Sequence, residues 1–420
     1  MEPDSVVQLR LQSQMLRGPA AESPEAALRR LLAVQAQEFA YARWSLAQRT
    51  AADGSFDVTA GSTGRAAAVT AARIEEAVAD GRILRTHILR PTWHFVHRDD
   101  LRWLLALSAP RLHQGNAGMY RRTGIDAATA VRSGKVMAEA VAGGNHLTRE
   151  QLAARLQDAG FEGKGLELAY LIMHAETSGV LVSGSPVRSR GGALKQTYAL
   201  FDERVPAGPV AAPAREEALA ELARRYFTSR GPATVKDCAD WSGLTMADVR
   251  QGLHAALDQD PEALATAELD GTAVYYSADS QSTDSDSAGA EPGAGARPGR
   301  HPGRGAPSHA GPRIDLIQCY DEYVMGYSAT RHYLGGVAPA VPQEGAPMHV
   351  VLLDGRLAGS WRHTMLPGRC ELDIRLSGSG DPAPGPALDT AVQDALDRYG
   401  AFLGTPAVRV RSGSKLERHT

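Results

Sequence analysis

Cysteines and long apolar runs are scarce in this 420-residue sequence. The three cysteines, Cys238, Cys319 and Cys370, lie far apart and form no CxxC pair, which argues against a zinc site and against a disulfide framework. A reducing compartment, the cytoplasm, is therefore the expected location. No run of about 18 apolar residues predicts a membrane span, and the N-terminus lacks the basic and apolar pattern of a secretory signal.

The sequence also lacks an excess of charge of either sign. Its net charge is −3 and its pI is about 6.5, whereas domains that bind nucleic acids are usually basic. Only five of the 45 basic residues are lysine, so 40 are arginine. This bias indicates a GC-rich coding sequence, and arginine also serves phosphate and base recognition well. The local distribution of charge must therefore decide whether DNA is a partner.

The overall composition is that of an ordinary folded protein. Hydrophobic residues make up 43% and charged residues 22%, which excludes a disordered chain, a collagen and a coiled coil. The length allows about three domains. No P-loop, dinucleotide fingerprint or Ser-His-Asp signature occurs, so we expect neither a cofactor nor a metal.

The N-terminal part predicts helices followed by strands. Apolar residues at helical spacing indicate an opening helix within residues 1–22. A second helix begins at Pro24, and its apolar pattern continues towards Trp44. The remaining predicted elements of this part are a third helix over residues 66–80 and strands within residues 83–97.

Two later stretches, residues 146–203 and 215–278, run in the order helix, helix, strand, turn and strand, or close to it. That order is typical of a winged helix, so the sequence predicts an α+β fold of tandem winged-helix motifs. Residues 277–313 are rich in Ser, Gly and Pro, cannot bury enough apolar surface to fold, and predict a disordered linker or insertion. A β-rich C-terminal portion with a final helix follows. The predicted divisions are 1–125, 126–208, 209–276, 277–313 and 314–420.

A basic turn over residues 185–195 is a candidate for contact with DNA phosphates. It contains Arg188, Arg190 and Lys195 and no acidic residue, and such a turn can follow a phosphate backbone. A solvated loop explains the same residues without any ligand.

Arg90, Thr92 and His94 form a second polar group, in an otherwise apolar strand. If the chain is extended after Pro91, Thr92 and His94 share one face, with Arg90 beside them. A cleft that faces DNA could use these side chains for phosphates or for a sugar. The alternative is a structural histidine and arginine on a half-exposed strand.

Gln35 and Gln37 would point in different directions on a helix, since residues i and i+2 lie about 200° apart. Their amides converge only if the backbone leaves the helix there. Further along, Asp321 and Glu322 lie among aromatic residues, and Trp361-Arg362 follows a hairpin that should turn at Asp354-Gly355. These residues could form a site or could be core aromatics with charges facing water.

Five sequence blocks together resemble the AlkZ/YcaQ family of DNA glycosylases. They follow one another in family order over nearly the whole chain, and they are Leu32-Ala-Val-Gln-Ala-Gln37, Arg90-Pro-Thr-Trp-His-Phe95, residues 224–243, Tyr320-Asp-Glu-Tyr-Val-Met-Gly-Tyr327 and Asp354-Gly-Arg-Leu-Ala-Gly-Ser-Trp-Arg362. The resemblance implies three winged-helix motifs and a β-rich C-terminal portion, folded as a C-shaped clamp on duplex DNA. The long segment 277–313 departs from the family pattern.

The resemblance also implies functional residues. Gln35 and Gln37 match a catalytic Gln-x-Gln motif, which is typical of the family branch that gives self-resistance to producers of genotoxic natural products. Members of the family remove N7-alkylated purines, including bulky adducts or crosslinks. The hairpin at Asp354-Gly355 is a candidate for insertion into a DNA groove. The residues that we expect to contact DNA or to lie near the lesion are Arg90, Thr92, His94, Arg188, Arg190, Lys195, Asp321, Gly355, Arg356, Trp361 and Arg362.

The expected function is therefore a monofunctional DNA glycosylase that acts as a monomer on duplex DNA carrying alkylated purines. Azinomycin-, trioxacarcin- and hedamycin-type lesions all fit the sequence. Two other interpretations remain open: a winged-helix regulator that binds DNA without catalysis, and a protein that sequesters the free genotoxin. A regulator needs neither glutamine, and a sequestering protein would release no base.

Overall fold

The protein has a mixed α+β fold. The structure is a computed structural model, and it describes residues 1–52, 69–189, 192, 194–208, 213–281, 311–335, 349–376 and 385–410. None of the helices in these ranges combines the length and the apolar character that a membrane crossing requires.

The N-terminal part contains five helices and a three-stranded sheet within the described residues. The elements are α1 (Pro3–Ser13), α2 (Pro24–Leu31), β1 (Ala33–Gln35), α3 (Phe39–Ala47), α4 (Ala71–Ala79), β2 (Ile83–His87), β3 (Trp93–His97) and α5 (Arg98–Arg122). The opening helix and both strands of residues 83–97 are confirmed. The described part of the predicted third helix begins at Ala71.

The continuous helix predicted from Pro24 towards Trp44 is wrong. Helix α2 ends at Leu32, whose φ of +67° is left-handed, and the chain continues as strand β1. The strand forms because Ala33, Val34 and Gln35 pair antiparallel with Val96, Phe95 and His94 of β3. This partner lies about 60 residues away, so local periodicity cannot reveal it. The sheet order is β1-β3-β2, which leaves β1 at an edge.

The elements of the second part are α6 (Ala127–Val141), β4 (Leu147–Thr148), α7 (Arg149–Asp158), α8 (Gly165–Thr177), β5 (Leu181–Ser183), β6 (Val187–Arg188), β7 (Leu194–Lys195), β8 (Thr197–Leu200) and α9 (Phe201–Arg204). Within residues 146–203 of this part, two helices and a strand are followed by a turn and a return strand, as expected, whereas the preceding helix α6 and the short strand β4 were not predicted. Thr148 begins α7 with a capping box, in which its hydroxyl accepts from the Gln151 N–H and the Gln151 side chain accepts from the Thr148 N–H. The element order agrees with the prediction, and the winged-helix interpretation stays a prediction.

The third part consists of three helices and a hairpin. The elements are α10 (Arg215–Arg230), α11 (Val235–Ser242), α12 (Met246–Gln259), β9 (Leu264–Leu269) and β10 (Thr272–Ser277). The hairpin turns at Asp270 and Gly271, both with positive φ, as a two-residue Asp-Gly turn requires. The predicted disordered segment 277–313 falls mostly outside the described residues; at its start, Ala278–Gln281 form a 3-10 helix.

The C-terminal portion is a five-stranded sheet covered by one long helix. Its elements are β11 (Ile314–Ile317), α13 (Glu322–Met325), β12 (His349–Leu353), β13 (Arg356–Leu366), β14 (Arg369–Leu376), α14 (Pro386–Leu403) and β15 (Ala407–Val410), and a 3-10 helix covers Arg331–Leu334. The strands are ordered β11-β12-β13-β14-β15, with only β15 parallel to its neighbour among these strands.

The apolar cores cross the predicted divisions of the chain. One cluster joins Leu28 and Phe95 of the N-terminal part to Trp361 and Tyr399 of the C-terminal portion. A second cluster joins Leu84 and other residues of the N-terminal sheet to Phe227 and Trp241 of the third part. The N-terminal sheet is therefore packed from two sides by elements that come much later in the sequence.

The loop between β2 and β3 is held against the end of α11. Gly243 has a φ of +71°, and a Cβ at this position would lie 2.4 Å from the carbonyl oxygen of Leu89. Leu89 itself has a φ of +62°. The tight contact fixes the backbone just before Arg90.

Gly243→Ala should therefore destabilise the protein more than a change at an open glycine. Gly124 has a nearly identical φ of +72°, but a Cβ at Gly124 would have no atom within 4 Å, so Gly124→Ala should cost only about 1–2 kcal/mol of left-handed strain. The clash with Leu89 should add roughly 1–3 kcal/mol for Gly243→Ala. Denaturant unfolding of both variants measures the difference, and equal losses would contradict a close contact at Gly243.

Candidate active site at the edge of the N-terminal sheet

Gln35 and Gln37 lie where strand β1 ends and reach towards the start of β3. Gln35 faces His94 in a non-hydrogen-bonded pair of the antiparallel strands. The adjacent pair is the hydrogen-bonded one, because the Ala36 N–H donates to the Trp93 carbonyl at 2.7 Å. The Gln37 amide oxygen lies 3.4 Å from the Trp93 backbone nitrogen. The backbone therefore leaves the helix before this motif, and both amides meet the segment 90–94.

Arg90 and His94 complete the surroundings of Gln35. One guanidinium nitrogen of Arg90, Nη2, lies 2.9 Å from Gln35 Oε1 and 3.2 Å from His94 Nε2. Arginine can only donate, so His94 Nε2 accepts and Nδ1 carries the proton that is donated to the Thr92 carbonyl at 3.0 Å. The structure thus brings the predicted triplet Arg90, Thr92 and His94 to the glutamine motif.

The imidazole of His94 is neutral. Burial lowers its pKa well below the usual value, and the Arg90 cation lowers it further. A neutral ring with both nitrogens engaged does not provide a cationic contact to phosphate. The Thr92 hydroxyl oxygen is buried beside it and has no hydrogen-bond partner among the described residues.

The backbone of Gln35 points away from β3, off the edge of the sheet. Its N–H donates to Glu322 Oε1 at 2.8 Å, and its carbonyl accepts from Gln318 Nε2 at 3.2 Å. Gln318 also donates to Ser45 Oγ at 2.8 Å. Buried backbone groups need such partners, so two side chains of the C-terminal portion take the place of a neighbouring strand.

Glu322 is completely buried and fully paired. Its Oε2 accepts from Arg230 Nη2 at 2.7 Å and from Trp241 Nε1 at 2.7 Å, while Oε1 holds Gln35. Sequence reasoning noticed the Asp321-Glu322 pair but missed that Glu322, Gln318 and Arg230 support Gln35. The block Tyr320-Asp-Glu-Tyr was a signal for them, but their burial depends on distant contacts.

Asp321, which was expected to contact DNA or to lie near the lesion, is occupied by another residue of the protein. Both of its carboxylate oxygens accept from Arg49, at 2.6 and 3.0 Å, and both side chains are completely buried. Arg49 is held in turn by the carbonyl and the amide oxygen of Gln14. Asp321 is therefore half of a buried ion pair that joins α3 to the start of α13.

Arg85 fixes the backbone of the motif from the other side. Its guanidinium donates to the carbonyl oxygens of Ala36 at 2.8 Å and Gln37 at 3.1 Å, and to the side chain of Gln196. The same group lies over the ring of Trp93, with 4.4 Å to the centroid. Arg85 thus continues the pairing of the chain beyond the end of β1.

The basic turn is partly neutralised by neighbouring acids. Arg188 pairs with Glu75, and Lys195 pairs with Glu150 at 2.9 Å. Arg190 lies outside the described residues. Arg188 and Lys195 are both exposed, and their contact with DNA phosphates stays a prediction. To bind a phosphate, each side chain would have to release its acidic partner.

The hairpin at Asp354-Gly355 packs against helix α1, with Gly355 buried and Asp354 exposed. A Cβ at Gly355 would lie 2.6 Å from Leu11 of helix α1, and the Tyr323 hydroxyl donates to the Gly355 carbonyl at 2.8 Å. Arg356 pairs with Asp4 of the same helix. Helix α1 thus covers the Gly355 side of this turn, and insertion of the turn into a DNA groove, which stays a prediction, would require α1 to move.

Trp361 and Arg362 belong to the C-terminal sheet. Trp361 is completely buried, and its Nε1 donates to the Ile317 carbonyl at 3.0 Å, so it is a core residue and not a DNA contact. Arg362 is half-buried with its Nε 3.9 Å from Asp373. Neither residue lies in the hydrogen-bonded group around Gln35.

Glu38 follows the motif and has an unusual carboxyl group. Burial raises its pKa to about 7, and its Oε2 lies 3.5 Å from His349 Nε2. Burial lowers the pKa of His349 to about 3. Among the described residues, no group of three or more metal-ligating side chains is close enough to hold a metal ion.

The family to which the chain belongs identifies the class of enzyme. A family model for AlkZ-like DNA glycosylases matches residues 28–402, so the chain belongs to the AlkZ-like DNA glycosylase family. The match includes Gln35, Gln37 and every side chain that holds them. The protein is thus a DNA glycosylase, and DNA is its partner.

A solved structure supports the fold. The Streptomyces sahachiroi DNA glycosylase AlkZ superposes with a TM-score of 0.68 at 20% sequence identity, and the match covers 98% of this chain and 100% of that chain. At this identity the likeness concerns the fold alone. No curated protein matched the sequence.

Asp321→Asn should destabilise the protein strongly. The substitution keeps the shape of the side chain but leaves the Arg49 cation buried without a counter-charge, which costs about 3–5 kcal/mol. The measurement is the free energy of unfolding in urea. Asp4→Asn, which disrupts the exposed pair with Arg356, is the control and should leave stability unchanged. Similar losses of stability in both variants would contradict a buried ion pair between Asp321 and Arg49.

Glu38 should give the stability a dependence on pH. Its pKa of about 7 in the folded protein lies above the unfolded value of 4.5, so its contribution is fully present below about pH 4.5 and is lost as the pH rises through about 7. Glu38→Gln removes this loss. The unfolding free energy of the wild type minus that of Glu38→Gln should therefore fall between about pH 5 and pH 8.

The difference between the two proteins isolates Glu38 from His349. The lowered pKa of His349 acts in the opposite direction, since that contribution is lost as the pH falls below about 6.5 towards about 3. The contribution of His349 is the same in the wild type and in Glu38→Gln, so it cancels in the difference as long as the His349 ring stays neutral. A difference that is flat with pH would show that Glu38 does not titrate in this range.

Proposed function

We propose that this glycosylase hydrolyses the N-glycosidic bond of N7-alkylated guanine in duplex DNA. The observation that carries the proposal is that the carboxylate bonded to Gln35 is not free to take part in the reaction. Two glutamine amides and a neutral imidazole meet at the motif, and the nearby carboxylate of Glu322 is fully occupied by Arg230, Trp241 and Gln35. Glu322 is therefore not available as a general acid, and Glu38, the other carboxyl group beside the motif, lies 3.5 Å from His349.

An N7-alkylated guanine does not need a general acid. Alkylation gives the base a fixed positive charge, so it departs as a neutral purine. Its departure builds positive charge on the sugar, as in the oxocarbenium-like transition state of glycoside hydrolysis. What remains is to place a water molecule and to stabilise the sugar, and amide oxygens can do both without acting as true bases. Normal bases lack this activation and should be poor substrates.

The natural substrates in this proposal are bulky adducts or crosslinks left by a genotoxic natural product of the azinomycin, trioxacarcin or hedamycin type. The Gln-x-Gln form of the motif supports this class, through the resemblance that it carries. Such lesions are awkward to flip into a tight pocket, so the enzyme works from the groove with limited flipping. It acts as a monomer on the nucleoid in the cytoplasm, without a cofactor, and gives self-resistance by base-excision repair.

Substitution of either glutamine should abolish excision while DNA binding remains. Duplex DNA carrying N7-methylguanine, and DNA treated with a bulky N7 alkylator, are incubated with the protein, and abasic sites are revealed by alkaline strand cleavage. Gln35→Ala and Gln37→Ala should each lower the rate by about 10²-fold or more, as removal of a group that contacts the transition state does.

The matched control is Gln393→Ala, at an exposed position on helix α14 that pairs only with Asp397. It should excise at the wild-type rate. Efficient release of guanine from undamaged duplex by the wild type would contradict the role of the lesion's own charge. An unaltered rate in both motif variants would place the chemistry elsewhere.

A further inference from the structure

Arg90 is a half-buried cation that has no carboxylate partner among the described residues. No carboxylate lies within 4.0 Å of its guanidinium among the described residues, whereas Arg49 and Arg230 each have one within 2.7 Å. The nearest acid that affects Arg90 is Glu322, whose oxygens are occupied. Burial and the neighbouring Arg230 lower the pKa of Arg90, which reflects the cost of holding an unpaired cation there.

The position of this cation conflicts with the proposed reaction. Arg90 Nη2 donates to Gln35 Oε1 at 2.9 Å, and that oxygen is needed for water or for the cationic sugar. A positive charge at this distance opposes the formation of another positive charge on C1′. The contact seen in the protein without DNA is therefore one that must open before catalysis.

The nitrogen of Arg90 also marks a point with suitable geometry for water. It lies 2.9 Å from Gln35 Oε1 and 3.2 Å from His94 Nε2, both of which are acceptors here. A water oxygen at the same point would donate one hydrogen to each acceptor at ordinary hydrogen-bond distances. Its lone pair would then be free to attack a carbon atom.

Only the side chain of Arg90 has to move. The backbone is fixed on both sides, because the Arg90 N–H donates to the Ile88 carbonyl and the Thr92 N–H donates to the Arg90 carbonyl, both at 2.7 Å. The backbone of Leu89 packs closely against Gly243. Arginine binds phosphate oxygens with two parallel hydrogen bonds, so a phosphate of bound DNA supplies the counter-ion that Arg90 lacks.

We infer that Arg90 occupies the position of the attacking water in the free protein and moves to a backbone phosphate beside the lesion when DNA binds. Gln35 Oε1 and His94 Nε2 then hold the water. This inference rests on the proposed function and adds His94 to the groups that contact the reacting atoms. It also makes assembly of the site dependent on DNA.

The chemical step balances with these groups. The water oxygen bonds to C1′ while the C1′–N9 bond breaks, and the electron pair of that bond stays on the purine and neutralises its N7 cation. One proton of the water passes to His94 Nε2 and from there to solvent, which leaves an abasic sugar with a hydroxyl group. Departure of Arg90 removes the neighbouring charge that lowers the pKa of His94.

The test separates DNA binding from the chemical step. Single-turnover excision of N7-methylguanine at saturating protein gives the rate, and titration at several salt concentrations gives Kd. Arg90→Ala should weaken binding and reduce the slope of log Kd against log salt by about 1, while the saturated rate stays within about threefold of the wild type or rises, because the competitor for the water position is gone.

His94 should behave in the opposite way. His94→Phe should leave Kd unchanged and lower the saturated rate by about 10²-fold, since a group that accepts a proton in the transition state contributes about that much. His94→Gln keeps an acceptor near the Nε2 position and should recover part of the loss. Arg224→Ala, which disrupts an exposed pair with Glu221 on helix α10, controls for the general effect of removing one positive charge and should leave the saturated rate unchanged.

A neutral methylphosphonate next to the lesion tests the phosphate directly. It should weaken binding of the wild type and leave Arg90→Ala unaffected. This binding measurement needs no turnover. It therefore tests the contact of Arg90 with phosphate even if N7-methylguanine is not excised and the proposed function is wrong. The inference is overturned if Arg90→Ala lowers the saturated rate about tenfold with Kd unchanged, if His94→Phe retains full activity, or if both proteins respond equally to the methylphosphonate.

Discussion

The buried carboxylate of Glu322 is the group on which the rest of the site depends. It accepts hydrogen bonds from the backbone of Gln35, the indole of Trp241 and the guanidinium of Arg230. A buried charge is tolerated only when its lone pairs are satisfied, so these partners must be present together. One side chain of the C-terminal portion thereby joins strand β1 to two helices of the third part.

This arrangement explains why distant parts of the chain are needed to place one glutamine. Strand β1 is short and lies at the edge of a three-stranded sheet, where its outer backbone groups would otherwise be unpaired. Glu322 and Gln318 supply the missing partners, and Arg85 continues the pairing at Ala36 and Gln37. The position of the motif is therefore a property of the whole fold and not of a local segment.

The sequence was sufficient for the elements with strong local signals and for the family to which the chain belongs. The capping Thr148, the Asp270-Gly271 turn and the strands around Pro91 all lie where expected. The strand at Gln35 was missed because its apolar neighbours also fit a helix, and only pairing with β3 decides between them. The pairing of Asp321 with Arg49 and the cover of Gly355 by Leu11 depend on contacts across more than 250 residues.

The electrostatics of the site follow from the same contacts. Two acidic groups near the motif are paired: Asp321 with Arg49, and Glu322 with Arg230 and its other donors. What remains near Gln35 is a set of dipoles and one unpaired cation, Arg90. Dipoles in a fixed arrangement stabilise developing charge without binding protons. The proposed reaction suits this arrangement, because a leaving group that already carries a positive charge departs without receiving a proton from the protein.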